Sequence, residues 1–88
     1  MLIQDTRRDR ITIQALHKKK EANEKVAMLS IYDYAFAQLA QQAGVDVIIV
    51  GDSLGMNALG YKNTLPVTME QMISHASAVR RGTDKVFM

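Results

Sequence analysis

Between Val50 and Met56 the sequence sets a carboxylate and a hydroxyl side by side, Asp52 and Ser53, inside the run Gly51-Asp52-Ser53-Leu54-Gly55. Asp52 offers a hard carboxylate oxygen that would suit a cation such as Mg²⁺, and Ser53 offers a hydroxyl and an amide. Gly51 and Gly55 leave room for backbone to lie close to a ligand. Three chemistries fit these residue types. They form an ordinary strand-to-loop turn, since Gly, Asp and Ser are common turn residues. They form a metal and ligand site. Or they present a nucleophilic serine.

The serine reading rests on the pattern G-x-S-x-G, the nucleophile elbow, and on similarity to the Gly-Asp-Ser-Leu signature of a family of esterases. Its context is unfavourable. Those esterases carry the signature on their first strand, whereas here a strand and a helix are expected to precede it. An elbow also enters a helix at once, while Gly55, Asn57, Gly60 and Pro66 predict a long irregular connection. Neither His17 nor His75 stands in a triad context. Labelling of Ser53 by a fluorophosphonate probe would favour an esterase. Lys62 follows Gly55 and Gly60 but lacks the Gly-Lys-Ser/Thr ending of a phosphate loop.

The motif needs a scaffold, and the apolar pattern predicts α-β-α-β-α-β. Ile13 and Leu16 mark a weakly amphipathic helix over about residues 11 to 23. Val26 to Ile31 reads as a first strand buried on both faces, as in a parallel sheet. Asp33 caps a second helix, whose residues Phe36, Leu39, Ala40 and Ala43 share one face and which Gly44 ends. Val45 to Val50 is the second strand, so the motif sits at its carboxyl end, where parallel α/β folds place ligand-binding groups. Thr68 and Gln71 form a capping box for a third helix with Met69, Met72, Ile73, Ala76 and Val79 inward; Arg80 and Arg81 fill its last turn and Gly82 stops it. Lys85 to Met88 starts a third strand.

Composition narrows the class. The 88 residues are 48% hydrophobic and 23% charged, the balance of a packed chain, and there is no cysteine for a disulfide, a thiolate metal site or a cysteine nucleophile. A reducing, cytoplasmic setting is expected, because the charged start from Met1 to Arg10 does not resemble a signal peptide. No apolar run approaches the roughly 20 residues that cross a bilayer. Eleven basic and nine acidic side chains give a net charge of +2. The basic groups gather at Arg7 to Arg10, Lys18 to Lys20 and Arg80-Arg81 without interleaved aromatics, so a nucleic-acid or anion-binding module is the weaker alternative; salt-sensitive oligonucleotide binding would favour it.

Four segments in order carry a wider resemblance: Tyr32-Asp33-Tyr34, Val50 to Met56, Thr64-Leu65-Pro66-Val67-Thr68, and His75 to Gly82. Together they resemble the ketopantoate hydroxymethyltransferases. The resemblance implies an α/β chain forming the amino-terminal part of a (β/α)₈ TIM barrel, with residues 1 to 88 one truncated segment of a single domain. It implies transfer of a hydroxymethyl group from 5,10-methylenetetrahydrofolate to 3-methyl-2-oxobutanoate, giving 2-dehydropantoate for pantothenate and coenzyme A. Asp52 then binds Mg²⁺ and, with Ser53, the 2-oxo acid; the family's glutamate base lies beyond Met88. A homo-oligomer with no nucleic-acid or membrane partner is implied, and the segment alone is expected to be inactive and poorly stable. His75, Tyr32, Tyr34 and the methionines read as packing residues in the first instance.

Overall fold

The computed structural model describes residues 8–88, so the charged start before Arg8 lies outside the described residues. Six elements follow in chain order: α1 (Ile13–Glu21), β1 (Met28–Ser30), α2 (Tyr34–Gln42), β2 (Val47–Ile49), α3 (Leu54–Asn57) and α4 (Met69–Gly82). β1 and β2 are parallel neighbours, with Met28 opposite Val47 and Ser30 opposite Ile49. β1, α2 and β2 therefore make the expected βαβ unit. Phe87 continues the sheet beyond β2, donating its N–H to the Asp46 carbonyl at 3.0 Å and accepting from Ile48 N–H at 2.8 Å.

Local chemistry explains where the helices begin and end. Asp33 accepts from Phe36 N–H at 2.8 Å and starts α2, and Gly44 closes it at φ +91°, in the left-handed region. Thr68 and Gln71 form a complete capping box at α4. Gly82 differs from expectation. It remains helical, and its smallness serves close packing instead: a Cβ there would lie 2.7 Å from the Tyr34 carbonyl oxygen and 3.0 Å from the Ala37 Cβ. α2 and α4 meet through this notch.

The core is Ile31, Ala37, Ala40, Val45, Ile48, Val79 and Val86, gathered where α2 and α4 cover one face of the sheet. Small residues carry the helix contact, so the stripes expected from periodicity are only partly buried. Phe36 and Leu39 of α2 are exposed, as are Met69 and Ile73 of α4, and of α4's stripe only Val79 is fully enclosed. All of β1 is exposed too, although its composition predicts a doubly buried strand. The uncovered apolar groups lie outside the α2 and α4 contact.

Polar side chains fasten the connections that enter the strands. At the amino ends, Asp46 accepts from Ala27 N–H at 2.9 Å and lies 3.7 Å from Lys19 Nζ, tying α1 to the strands. Gln41 reaches from α2 to the segment after α4: its Oε1 accepts from the N–H groups of Asp84 and Lys85, both at 2.8 Å. Among the described residues no helix is long and apolar enough to cross a membrane.

Candidate functional site

Each residue of the motif receives a separate task from the turn that follows β2. Asp52 is exposed at the carboxyl end of the strand, and Ser53 beside it is half-buried. Leu54 is fully buried and anchors the turn, a role the sequence reading did not assign. Gly51 has only ordinary contact where a side chain would go, 3.6 Å from Ile49 Cγ2, so the backbone there stays approachable. Gly55 is different: a Cβ would fall 2.3 Å from Val67 Cγ2 and 3.3 Å from the Tyr61 ring. Its missing side chain admits the returning loop, not a ligand.

That loop is held in place by polar contacts of its own. Tyr61 N–H donates to the Gly55 carbonyl at 2.8 Å, and the Tyr61 hydroxyl accepts from Gln71 Nε2 at 2.9 Å. Asn63 turns the chain before Pro66 by accepting from Leu65 N–H at 3.0 Å. The connection from 58 to 67, largely exposed, is therefore tied to α3 and to the first turn of α4 through Tyr61.

A short helix does follow Ser53 directly, which corrects the expectation of an irregular continuation. α3 arises because the Ser53 carbonyl accepts from the N–H groups of Met56 and Asn57, at 3.1 and 3.0 Å. This removes one argument against a nucleophile elbow, yet the geometry supplies a better one. Ser53 sits at φ −58°, ψ −15°, ordinary helical backbone, whereas an elbow holds its serine in a sharp, strained turn. Among the described residues the hydrogen-bond partner of Ser53 Oγ is a phenol, not a histidine.

The Tyr32 hydroxyl lies 2.6 Å from Ser53 Oγ, joining the carboxyl ends of β1 and β2. Asn57 Nδ2 donates to the same phenolic oxygen at 3.2 Å. From behind, His75 Nδ1 is 2.7 Å from the Tyr32 carbonyl, which can only accept, so the ring carries its proton on Nδ1 there. Hydrogen bonds from Ser53 first and Asn57 second hold the Tyr32 phenol below the usual tyrosine value, against the opposing effect of burial, with Ser30 adding to the lowering. Sequence reasoning treated Tyr32 and His75 as packing; the structure makes both part of one polar cluster. The only advance signal was that Tyr32 follows a strand end.

Beside this cluster lies a cavity of about 440 Å³, lined by Ser30, Ile31, Tyr32, Asp33, Phe36, Asn57 and Ala58. A larger hollow of about 580 Å³ opens at the opposite end of the strands, between α1 and residues Val26, Val47 and Phe87. Its walls are mostly apolar, and size alone gives it no chemistry. Among the described residues no three His, Cys, Asp or Glu side chains converge on one point. Asp52 is thus a lone exposed carboxylate, next in the chain to Ser53, whose hydroxyl meets that of Tyr32. A lone carboxylate of this kind fits a hard cation that takes one or two protein carboxylates and fills its shell with water and ligand oxygens.

Comparison with known proteins points to one family. Residues 10–88 match the family model described as ketopantoate hydroxymethyltransferase. A Thermotoga neapolitana protein named 3-methyl-2-oxobutanoate hydroxymethyltransferase is 56% identical over 71 residues, 81% of this chain and 26% of that protein. Proteins of the same name from Thermosynechococcus vestitus and Carboxydothermus hydrogenoformans are 56% and 52% identical, over 89% and 88% of this chain. The chain spans 30% and 28% of their lengths.

Proposed function

The chain belongs to the ketopantoate hydroxymethyltransferase family, and from that premise we propose that it supplies the Asp52 and Ser53 side of the active site of a 3-methyl-2-oxobutanoate hydroxymethyltransferase. In this reading residues 1 to 88 are the first segment of a (β/α)₈ barrel. Further strands would cover the exposed apolar residues of β1. The reaction passes a hydroxymethyl group from 5,10-methylenetetrahydrofolate to the oxo acid, and the product is 2-dehydropantoate. The observation that carries the proposal is the placement of Asp52, exposed at the carboxyl end of β2 beside a tethered Ser53. Barrel enzymes build their active sites at this end.

Asp52 would hold Mg²⁺ through its carboxylate, and the bound ion would polarise the keto oxygen of the substrate. Ser53 orients the oxo acid by hydrogen bonding to its oxygens. The Gly51 backbone leaves space for that ligand. The base that removes the substrate proton and the remaining metal ligands are expected from other parts of the protein. The segment alone is accordingly expected to give no turnover.

Asp52→Ala in the complete protein tests the assignment. Asp52 is exposed, so the variant should keep its stability within about 0.5 kcal/mol. Metal-dependent formation of 2-dehydropantoate should fall by about a hundredfold or more, since even the outer groups that orient a metal's ligands are worth about 10- to 100-fold. Unchanged turnover at saturating Mg²⁺ would defeat the assignment.

A further inference from the structure

Tyr32 stands outside the motif, yet its hydroxyl makes the shortest side-chain hydrogen bond of the cluster, 2.6 Å to Ser53 Oγ. Ser53 is also unusual for a residue at a helix start, because its hydroxyl makes no capping bond to α3. That hydroxyl is held by the tyrosine instead. Either oxygen could supply the proton between them, and the third member of the cluster decides which does. Asn57 Nδ2 can only donate, and it donates to the Tyr32 oxygen. A phenolic oxygen accepts one hydrogen bond well and a second poorly, whereas a phenol is the stronger donor and an alkyl hydroxyl the better acceptor. The order that satisfies all three groups runs from Asn57 N–H to Tyr32 O, and from Tyr32 O–H to Ser53 Oγ.

This order has a consequence for the ligand. With its acceptor capacity met by Tyr32, Ser53 keeps its own proton for a further partner, and the bonds behind it strengthen that donation. The backbone of Tyr32 is fixed independently by His75, whose Nδ1–H donates to the Tyr32 carbonyl at 2.7 Å. The tyrosine is thereby held from α4 and from α3 at once.

We propose that Tyr32 is a positioning residue that fixes Ser53 as a hydrogen-bond donor to an anionic or carbonyl oxygen of the substrate, with Asn57 orienting the tyrosine hydroxyl in turn. The inference rests on the reading of Ser53 as a contact to the oxo acid, and it adds the residues that set the direction of that contact.

The test is a double-mutant cycle in the complete protein, with steady-state kinetics on 3-methyl-2-oxobutanoate. Tyr32→Phe keeps the ring and removes only the hydroxyl; it should raise KM for the oxo acid about three- to tenfold, the size of one lost hydrogen bond. KM for the folate should stay within twofold, about the error of such comparisons. In a Ser53→Ala background the same change should add less than about twofold, because its route to the ligand is gone. Asn57→Ala should act in the same direction and vanish in that background as well, which provides an independent arm if the tyrosine variant folds badly. A full additional effect of Tyr32→Phe on top of Ser53→Ala, or no effect of Tyr32→Phe where Ser53→Ala is costly, overturns this inference alone. A silent Ser53→Ala overturns the role of Ser53 itself and this inference with it, leaving the Asp52 assignment standing.

Discussion

Replacing Gly55 by Ala separates two explanations of the motif's second glycine. If the glycine exists to let a ligand approach, the added methyl harms binding whatever lies behind it. The geometry says otherwise. The methyl would sit 2.3 Å from Val67 Cγ2, where carbon atoms ordinarily rest about 3.5 to 4.0 Å apart. Val67 is β-branched and stiff at χ1, so relief requires the loop itself to retreat by more than an ångström. Overpacking of this kind costs about 1 to 3 kcal/mol, offset by less than about 1 kcal/mol of helix propensity gained in α3. The expected net loss is about 1 to 2 kcal/mol.

A second substitution gives this reasoning its sharpest form. Val67→Ala alone should cost about 1 kcal/mol for the methyl groups lost from a half-buried site. It also removes the obstructing carbon: the added methyl at 55 then meets the remaining Cβ of residue 67 at 3.8 Å, an ordinary contact, and needs only a slight adjustment of the Tyr61 ring at 3.3 Å. In that background Gly55→Ala should cost under about 0.5 kcal/mol, giving a favourable coupling of about 1 kcal/mol. Urea unfolding of the four proteins measures it, and KM for 3-methyl-2-oxobutanoate should recover in parallel, since α3 carries Ser53 and Asn57 at its two ends. A cost for Gly55→Ala that is identical in both backgrounds refutes the packing account and restores ligand approach as the reason for the glycine.

Two further expectations concern other parts of the molecule. Asp46→Ala should lower stability by about 1 to 2 kcal/mol, because the Ala27 amide loses its acceptor. Asp46→Asn keeps an acceptor and should cost under about 0.5 kcal/mol, since the partner Lys19 is 3.7 Å away and partly solvated; equal losses in urea midpoints would show that the ion pair dominates. With its folded-state value lowered, Tyr32 should lose its proton at a pH below that of a free tyrosine. Once ionised it accepts from Ser53 instead of donating, so KM for the oxo acid should climb at alkaline pH, and Tyr32→Phe should abolish that limb. The same shift stabilises the fold fully above 10.0, the unperturbed value, and the contribution is lost as pH falls through the lowered folded value; an alkaline limb retained in Tyr32→Phe would assign it to another group.

Features set by neighbours in the chain were legible in advance, and features set by contact across the fold were not. Asp33, Gly44 and the Thr68 and Gln71 pair act within a few residues of themselves, and each lies where its type and spacing place it. α3 was missed because its propensity is poor: Gly55 and Asn57 argue against a helix, and one turn forms only because the chain is turning over buried Leu54. The stripes on α2 and α4 misled for a related reason. Periodicity identifies which residues share a face, but the partner decides which part of that face is used, and Gly82 with Ala37 drew the contact toward small residues. Burial of Phe36, Leu39, Met69 and Ile73 was therefore overestimated.

The two aspartates flanking β2 show why the site could be only half read from sequence. Asp46 and Asp52 bracket one short strand, and composition does not distinguish them. Their surroundings do. Asp46 enters the sheet where the Ala27 amide stands ready and Lys19 reaches across from α1, so its carboxylate is absorbed by the fold. Asp52 leaves the sheet where the adjacent strand end offers Tyr32, whose hydroxyl is already engaged by Ser53 and Asn57. The cluster that orders the serine leaves its neighbouring carboxylate exposed, and a carboxylate without a hydrogen bond among the described residues, beside an ordered donor, suits the metal and oxo-acid roles proposed for Asp52 and Ser53.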